Sequence, residues 1–391
     1  MSNGPAQRHP WPHGVSRPLV SPLQPSVVYA SDGPDTLDAQ YAGALAGYTY
    51  AREGHPNADV LARMIDGMEG LTGGIVTGSG MAAVTAGILG AVRAGDHVLG
   101  GDQLYGRSLR LMSETLPALG ISASTADATD AAWFAEAIRP ETKLILIEIV
   151  SNPTIRVADL AGIAAIARER GILLAVDNTF TTPRAIRPAE HGADIVIHSV
   201  TKLLSGHSDA TLGYVAARDP DLQEKITTFS VTTGLTASPF DCWLAERGLL
   251  SFDLRYDRAE ATAEALAGAL AEMDGVRRVL YPTRPDHPDH NRASAILGPR
   301  GSHMLSFEIA NTRAAANALV AAMPDVPFAP TLGDIGTTLS HPATSSHRAL
   351  TEEGRAAIGI TEGFFRVSVG CEEPNALIEK FARGVAASRA P

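Results

Sequence analysis

The sequence predicts an α/β protein: a mostly parallel sheet covered by helices on both faces, followed by a smaller C-terminal α+β unit. Three observations carry this. Apolar runs of strand length alternate with helix-patterned stretches between Asp96 and Ala217. Several of those runs are apolar throughout, which is the pattern of strands buried on both faces. From Phe252 onward the layout changes, because a long helix-like segment opens a second set of strands and helices.

Taken in order, a loop-rich arm runs to about Tyr48, and the expected division is an arm over 1–48, a large unit over 49–248 and a small unit over 249–391. Ser79 is a favoured N-cap residue ahead of a small and apolar stretch, so a helix is expected from Gly80. The free N–H groups of such a start can bind an anion, and a plain buried helix start fits the residues equally well. Strands are expected at Asp96–Leu99, Ile121–Ser124, Lys143–Val150, Ile172–Asp177, Asp194–Val200 and Tyr214–Ala217, with a helix at Leu160–Arg170. The small unit should hold a helix over Phe252–Met273, strands at Val276–Tyr281, His303–Ile309 and Phe364–Val369, and helices at Thr312–Met323 and Asn375–Ala387. No internal repeat is present.

Composition excludes several function classes. The net charge of −11 and the mixing of charged residues along all 391 positions argue against a polyanion partner such as nucleic acid. Two cysteines, Cys242 and Cys371, make no disulfide framework and fit a reducing cytoplasm. Met1 to Gly14 is polar and proline-rich, unlike a signal peptide, and no apolar run has the length of a membrane helix. His287-Pro-Asp-His290 invites a metal reading, but its spacing fits no common ligand pattern, so no metal is expected.

Chemistry concentrates in Asp194-Ile-Val-Ile-His-Ser-Val-Thr-Lys202. Read as a strand, it places Ser199 and Thr201 on one face, where two hydroxyls can meet one anion, with Lys202 beside them. A lysine that forms an imine with an aldehyde cofactor needs a desolvated site, and a phosphorylated cofactor needs donors nearby. Pyridoxal phosphate meets both descriptions; a surface lysine capping a turn is the alternative. Upstream, the apolar run Ile172–Val176 ends in Asp177, at the sheet end where open α/β sheets keep their ligands. An aspartate there can hold a pyridine nitrogen protonated, so that the ring accepts a carbanion's electron pair.

With these residues in place, the chain resembles the Cys/Met-metabolism family of pyridoxal-phosphate enzymes. This family includes cystathionine γ-synthases, cystathionine β- and γ-lyases, methionine γ-lyases and O-acyl-homoserine sulfhydrylases. Matching segments occur in family order: Tyr50-Ala-Arg52, Ser79-Gly-Met81, Leu104-Tyr-Gly106, Ser151-Asn-Pro-Thr154, Asp177-Asn-Thr-Phe180, Ser199-Val-Thr-Lys202, Gly206-His-Ser-Asp209 and Phe365-Arg-Val-Ser-Val-Gly370. The resemblance implies a fold-type I, aminotransferase-like large domain and a homotetramer with shared sites. It implies that the amides of Gly80 and Met81 bind the cofactor phosphate with Ser199 and Thr201, and that Tyr50 and Arg52 reach it from a neighbouring subunit. It implies further that Tyr105 stacks on the ring and handles a proton, Asn152 bonds the phenolic oxygen, and Arg366 clamps the substrate's α-carboxylate. Val150 stands where many relatives carry proline.

The expected reaction is α-proton abstraction by Lys202 followed by loss of a β- or γ-substituent. Relatives that handle cystathionine often carry glutamate where this chain has Pro330, just ahead of Thr331-Leu-Gly333, which tilts the reading toward a C–S lyase for methionine or homocysteine. Arg107 stands where typical methionine γ-lyases have cysteine; with Arg110 nearby it favours instead an anionic activated homoserine and a γ-replacement enzyme, unless it faces solvent. A non-catalytic cofactor-binding protein on the same fold is the outside alternative.

Overall fold

The computed structural model describes residues 18–348 and 350–389, so Met1 to Gly14 lies outside the described residues. Seven strands form the larger sheet: β1 (Ile75–Thr77), β2 (His97–Gly101), β3 (Ser122–Ala126), β4 (Thr142–Glu148), β5 (Leu173–Asp177), β6 (Ile195–His198) and β7 (Gly213–Ala217). Their order is β1-β7-β6-β5-β4-β2-β3. Neighbours from β3 to β6 pair in parallel, and β7 runs antiparallel to both β6 and β1.

The apolar runs explain the layering. Leu144, Ile145, Leu146 and Ile147 of β4 are all at most 1 % exposed, because helices cover both faces. On one face Ile195, Ile197 and Val215 pack against Val84, Ala86 and Ile88 of the helix Gly80–Leu89. On the other, Ile145, Ile147, Leu174 and Val176 pack against Leu160, Ile163 and Ala167 of the helix Leu160–Arg170. Burying each such Leu, Ile or Val side chain contributes about 1.5–3 kcal/mol. The latter helix has the expected bounds: Asp159 caps it by accepting the Gly162 N–H at 3.2 Å, and Gly171 ends it in the left-handed region at φ 63°.

The second sheet comprises β8 (Arg278–Leu280), β9 (Met304–Glu308), β10 (Thr338–Ser340) and β11 (Phe364–Ser368), ordered β10-β11-β9-β8 and antiparallel throughout. Alternation separates its faces. Leu305, Phe307, Phe365 and Val367 pack against Leu266, Leu319 and Phe381 of the helices Phe252–Ala271, Arg313–Ala321 and Pro374–Ser388. Ser306 and its register partner Arg366 turn the other way, toward the larger sheet, where Ser306 donates to the Pro153 carbonyl at 2.7 Å.

The His287-to-His290 segment joins the two parts. Asp289 accepts from Arg156 Nε at 2.6 Å and from the Val157 N–H at 3.0 Å, while His287 Nε2 donates to the Ile155 carbonyl at 3.0 Å. His287 Nδ1 accepts the Asp289 N–H, so both ring nitrogens are engaged with protein. No helix among the described residues is long and apolar enough to cross a membrane.

Candidate active site

The carboxyl ends of β4, β5 and β6 open into a cleft of about 940 Å³, closed from the far side by β11 and the Pro330–Leu332 segment. Among its lining residues are Gly80, Met81, Tyr105, Asn152, Asp177, Ser199, Thr201, Lys202, Pro330, Thr331 and Arg366. Segments as far apart as Gly80 and Arg366 in the chain therefore converge on one volume, at the sheet end where α/β folds place ligands.

Local geometry accounts for each wall. Ser79 caps its helix by accepting the Ala82 N–H at 3.1 Å. Gly80 must lack a side chain, since a Cβ there would come within 2.6 Å of Ser199 Cβ and Oγ. Ser199 therefore stands against the open end of that helix. The strand expected over Asp194–Val200 needs correction: β6 ends at His198, and Thr201 reaches the cleft lining from the turn that follows and not by strand alternation. The Thr201 hydroxyl donates to the Leu212 carbonyl at 3.1 Å and accepts the Leu212 N–H at 2.9 Å, so its proton is committed to the backbone.

Lys202 Nζ lies 3.5 Å from Thr331 Oγ1. Burial, and then the Arg366 charge, push its pKa below the ordinary lysine value. Asp177 accepts the Thr179 N–H at 3.0 Å; burial nonetheless raises its pKa, against the pull of the Thr179 bonds and of His198. Arg366 is 6 % exposed, and burial lowers its pKa to about 10. Its guanidinium donates to Asn152 Oδ1 at 2.7 Å and to the Thr331 carbonyl at 2.5 Å, while Nε has no partner. No carboxylate pairs with Arg366 among the described residues. Tyr105 forms the lip of the cleft, 43 % exposed.

Four expected residues lie elsewhere. Tyr50 and Arg52 do not line the cleft of their own chain; Arg52 donates to the Val231 carbonyl at 3.1 Å, stacks 5.6 Å over Tyr50 and borders a separate recess of about 500 Å³. Arg107 and Arg110 also lie outside the lining. Both sit on the short helix after Tyr105 and are exposed, and Arg110 is held by Glu114 at 2.8 Å. Conversely, Glu148 lines the cleft and had no role assigned from sequence. The signal was present, because Glu148 is a polar residue closing an apolar strand, as Asp177 is.

Comparison with known proteins agrees with this geometry. The model of the Cys/Met metabolism PLP-dependent enzymes matches residues 12–386. The chain is 38% identical over 338 residues to cystathionine beta-lyase MetC of Bacillus subtilis strain 168, covering 86% of each protein. It is 37% identical over 349 residues to the O-succinylhomoserine sulfhydrylase of Pseudomonas aeruginosa, covering 89% of this chain and 86% of that one. A crystal structure of a putative O-acetylhomoserine (thiol)-lyase from Campylobacter jejuni, described as carrying a pyridoxyl-lysine monophosphate, superposes with a TM-score of 0.91 at 28% identity, covering 96% of this chain and 97% of that one. The chain therefore belongs to the Cys/Met metabolism family of pyridoxal-phosphate-dependent enzymes, on the fold-type I architecture.

Proposed function

We propose that the enzyme cleaves the C–S bond of a small sulfur amino acid, methionine or homocysteine in preference to cystathionine, with Lys202 and Tyr105 as catalytic residues. Arg366 is the observation that carries the reading. A buried guanidinium with no carboxylate beside it is costly unless a ligand supplies the anion. An amino acid's α-carboxylate fits that need, and a protein that only stored cofactor would have no use for it.

Bound pyridoxal phosphate supplies the electron sink for charge developing at the substrate's α-carbon. Asp177 would hold the pyridine nitrogen protonated, and Asn152 would meet the phenolic oxygen. The Ser199 hydroxyl and the amides of Gly80 and Met81 would take the phosphate, and Thr201 lines the same cleft. Tyr50 and Arg52 complete that grip from a neighbouring subunit, so the working form is an oligomer, a homotetramer in the cytoplasm. On this reading the 49–248 unit binds the cofactor and the 249–391 unit brings the Arg366 clamp.

Arg366 orients the substrate so that its α-hydrogen faces Lys202, which removes the proton as a neutral amine. Burial favours that neutral form. The Thr331 hydroxyl, 3.5 Å from Nζ, is a polar group at hand to hold the amine in the cleft. Tyr105, on the lip, then exchanges a proton with the departing sulfur. The apolar side chains among the cleft lining, Met81, Val84, Phe180, Pro330 and Leu332, offer no charge to a distal ammonium.

A γ-replacement reaction on an activated homoserine is the second reading, favoured by nearly equal identity to a sulfhydrylase. One assay panel separates them: release of 2-oxobutyrate, pyruvate or thiol from methionine, homocysteine, cystathionine, cysteine and O-acyl-homoserines. The lyase reading expects methionine or homocysteine to give the highest kcat/KM. O-succinyl-homoserine plus a thiol outpacing every elimination would replace it with the second reading.

A further inference from the structure

Glu148 closes β4, and its register partner on β5 is Asp177. Paired residues on adjacent strands project from one face, and the strands lie about 4.8 Å apart. Both carboxyls line the cleft. Glu148 is also the wall between that cleft and a smaller one of about 270 Å³ behind it, lined among others by Asp102, Asp127 and Arg156. Lys202, Arg366 and Tyr105 line the same cleft. Glu148 Oε1 accepts the Tyr105 backbone N–H at 2.6 Å, which fixes the start of the helix Gly106–Arg110 to the sheet.

Two carboxyls facing one pocket disfavour each other's charge, and the one with more donors keeps its charge more readily. Asp177 has the Thr179 amide and hydroxyl in its favour, with His198 adding positive charge nearby. Glu148 has one amide donor, and burial together with Asp177 holds its proton well above the usual carboxylate range. We propose that Glu148 is a positioning residue: through its bond to the Tyr105 amide it ties Tyr105 to the sheet edge that carries Asp177. This rests on the reading that the cleft holds the cofactor with its pyridine nitrogen at Asp177.

The test titrates cofactor-free protein with pyridoxal phosphate, following visible absorption, induced circular dichroism and the pH midpoint of the bound cofactor's band. Glu148→Gln keeps an acceptor for the Tyr105 amide and cannot ionise, so it should match wild type within about twofold in Kd, with an unchanged midpoint. Glu148→Ala removes the acceptor and should weaken binding about tenfold, the worth of one hydrogen bond of about 1.4 kcal/mol, with a diminished dichroic band as Tyr105 loosens. Glu148→Asp, which withdraws the acceptor by one methylene, should behave as the Ala variant does and serves if that variant does not fold. Two results overturn the inference: Gln as damaging as Ala or Asp, or a midpoint displaced by a unit or more in the Gln variant. Asp177→Asn is the control. If it leaves affinity and band untouched, the cofactor reading itself fails; if it weakens both while all Glu148 variants match wild type, only the role of Glu148 fails.

Discussion

Arg366→Lys isolates the carboxylate clamp, because it keeps a positive charge on β11 and removes the planar fork. The guanidinium is anchored by Asn152 Oδ1 at 2.7 Å and the Thr331 carbonyl at 2.5 Å, and its Nε is left without a protein partner. Lysine cannot hold both anchors and still present two parallel donors to a carboxylate. Hydrogen bonds to charged groups are worth about 1.5–3 kcal/mol each. Losing the two-pronged grip should therefore cost about 3–4 kcal/mol, or roughly 10²–10³ in kcat/KM. Steady-state kinetics with the preferred amino acid and with its carboxamide would read this. Wild type should favour the free acid strongly, and the variant should lose most of that preference while keeping the cofactor's visible band. A loss below about fivefold, or loss of the band with kinetics otherwise intact, would refute the clamp.

Other expectations follow from neighbouring residues. Asp289→Asn should lower the melting temperature at pH 7. Burial would raise the Asp289 pKa, but the Arg156 bond and the Val157 amide outweigh it and hold it below 3.8, so its stabilisation exists above that value and fades as pH falls. The gap between mutant and wild-type melting curves should be full above about pH 4, begin to narrow only below 3.8 and close once the pH has fallen through the lowered Asp289 pKa; a gap that does not narrow at all as pH falls below 3.8 would show the effect is not ionic. Pro330→Glu should shift the kcat/KM ratio toward cystathionine by on the order of tenfold, with Pro330→Ala as the control for a freed backbone; no shift beyond that control removes Pro330 from specificity. Mixing inactive Lys202→Ala and Arg52→Ala subunits should restore part of the activity through hybrid sites. Proven subunit exchange without recovery would count against sharing.

Where strands are buried on both faces, the sequence declares them, and β4, β5 and β6 were legible to within two residues because their apolar runs are unbroken. The three-residue strands β1 and β10 were not, since Ile75–Thr77 and Thr338–Ser340 are too short to show a period and owe their pairing to β7 and β11. Ser199 and Thr201 show the same limit: strand alternation does not extend into the turn after His198. Asp177, Lys202 and Arg366 were found because each ends or interrupts an apolar run. Glu148 ends one too, but its meaning depends on the Asp177 register and the Tyr105 amide, which only the fold supplies. Arg107 was drawn in because it stands where typical methionine γ-lyases have cysteine, and Arg110 by nearness to it, whereas their helix carries both outward to solvent.

The chain has four lysines, Lys143, Lys202, Lys225 and Lys380. Borohydride reduction of the cofactor-loaded enzyme, followed by peptide mass spectrometry, fixes the cofactor to whichever lysine holds it. The account predicts a single pyridoxyl-phosphate adduct on the peptide containing Lys202, absent from the Lys202→Ala variant. An adduct on Lys143, Lys225 or Lys380 in place of Lys202 would contradict it.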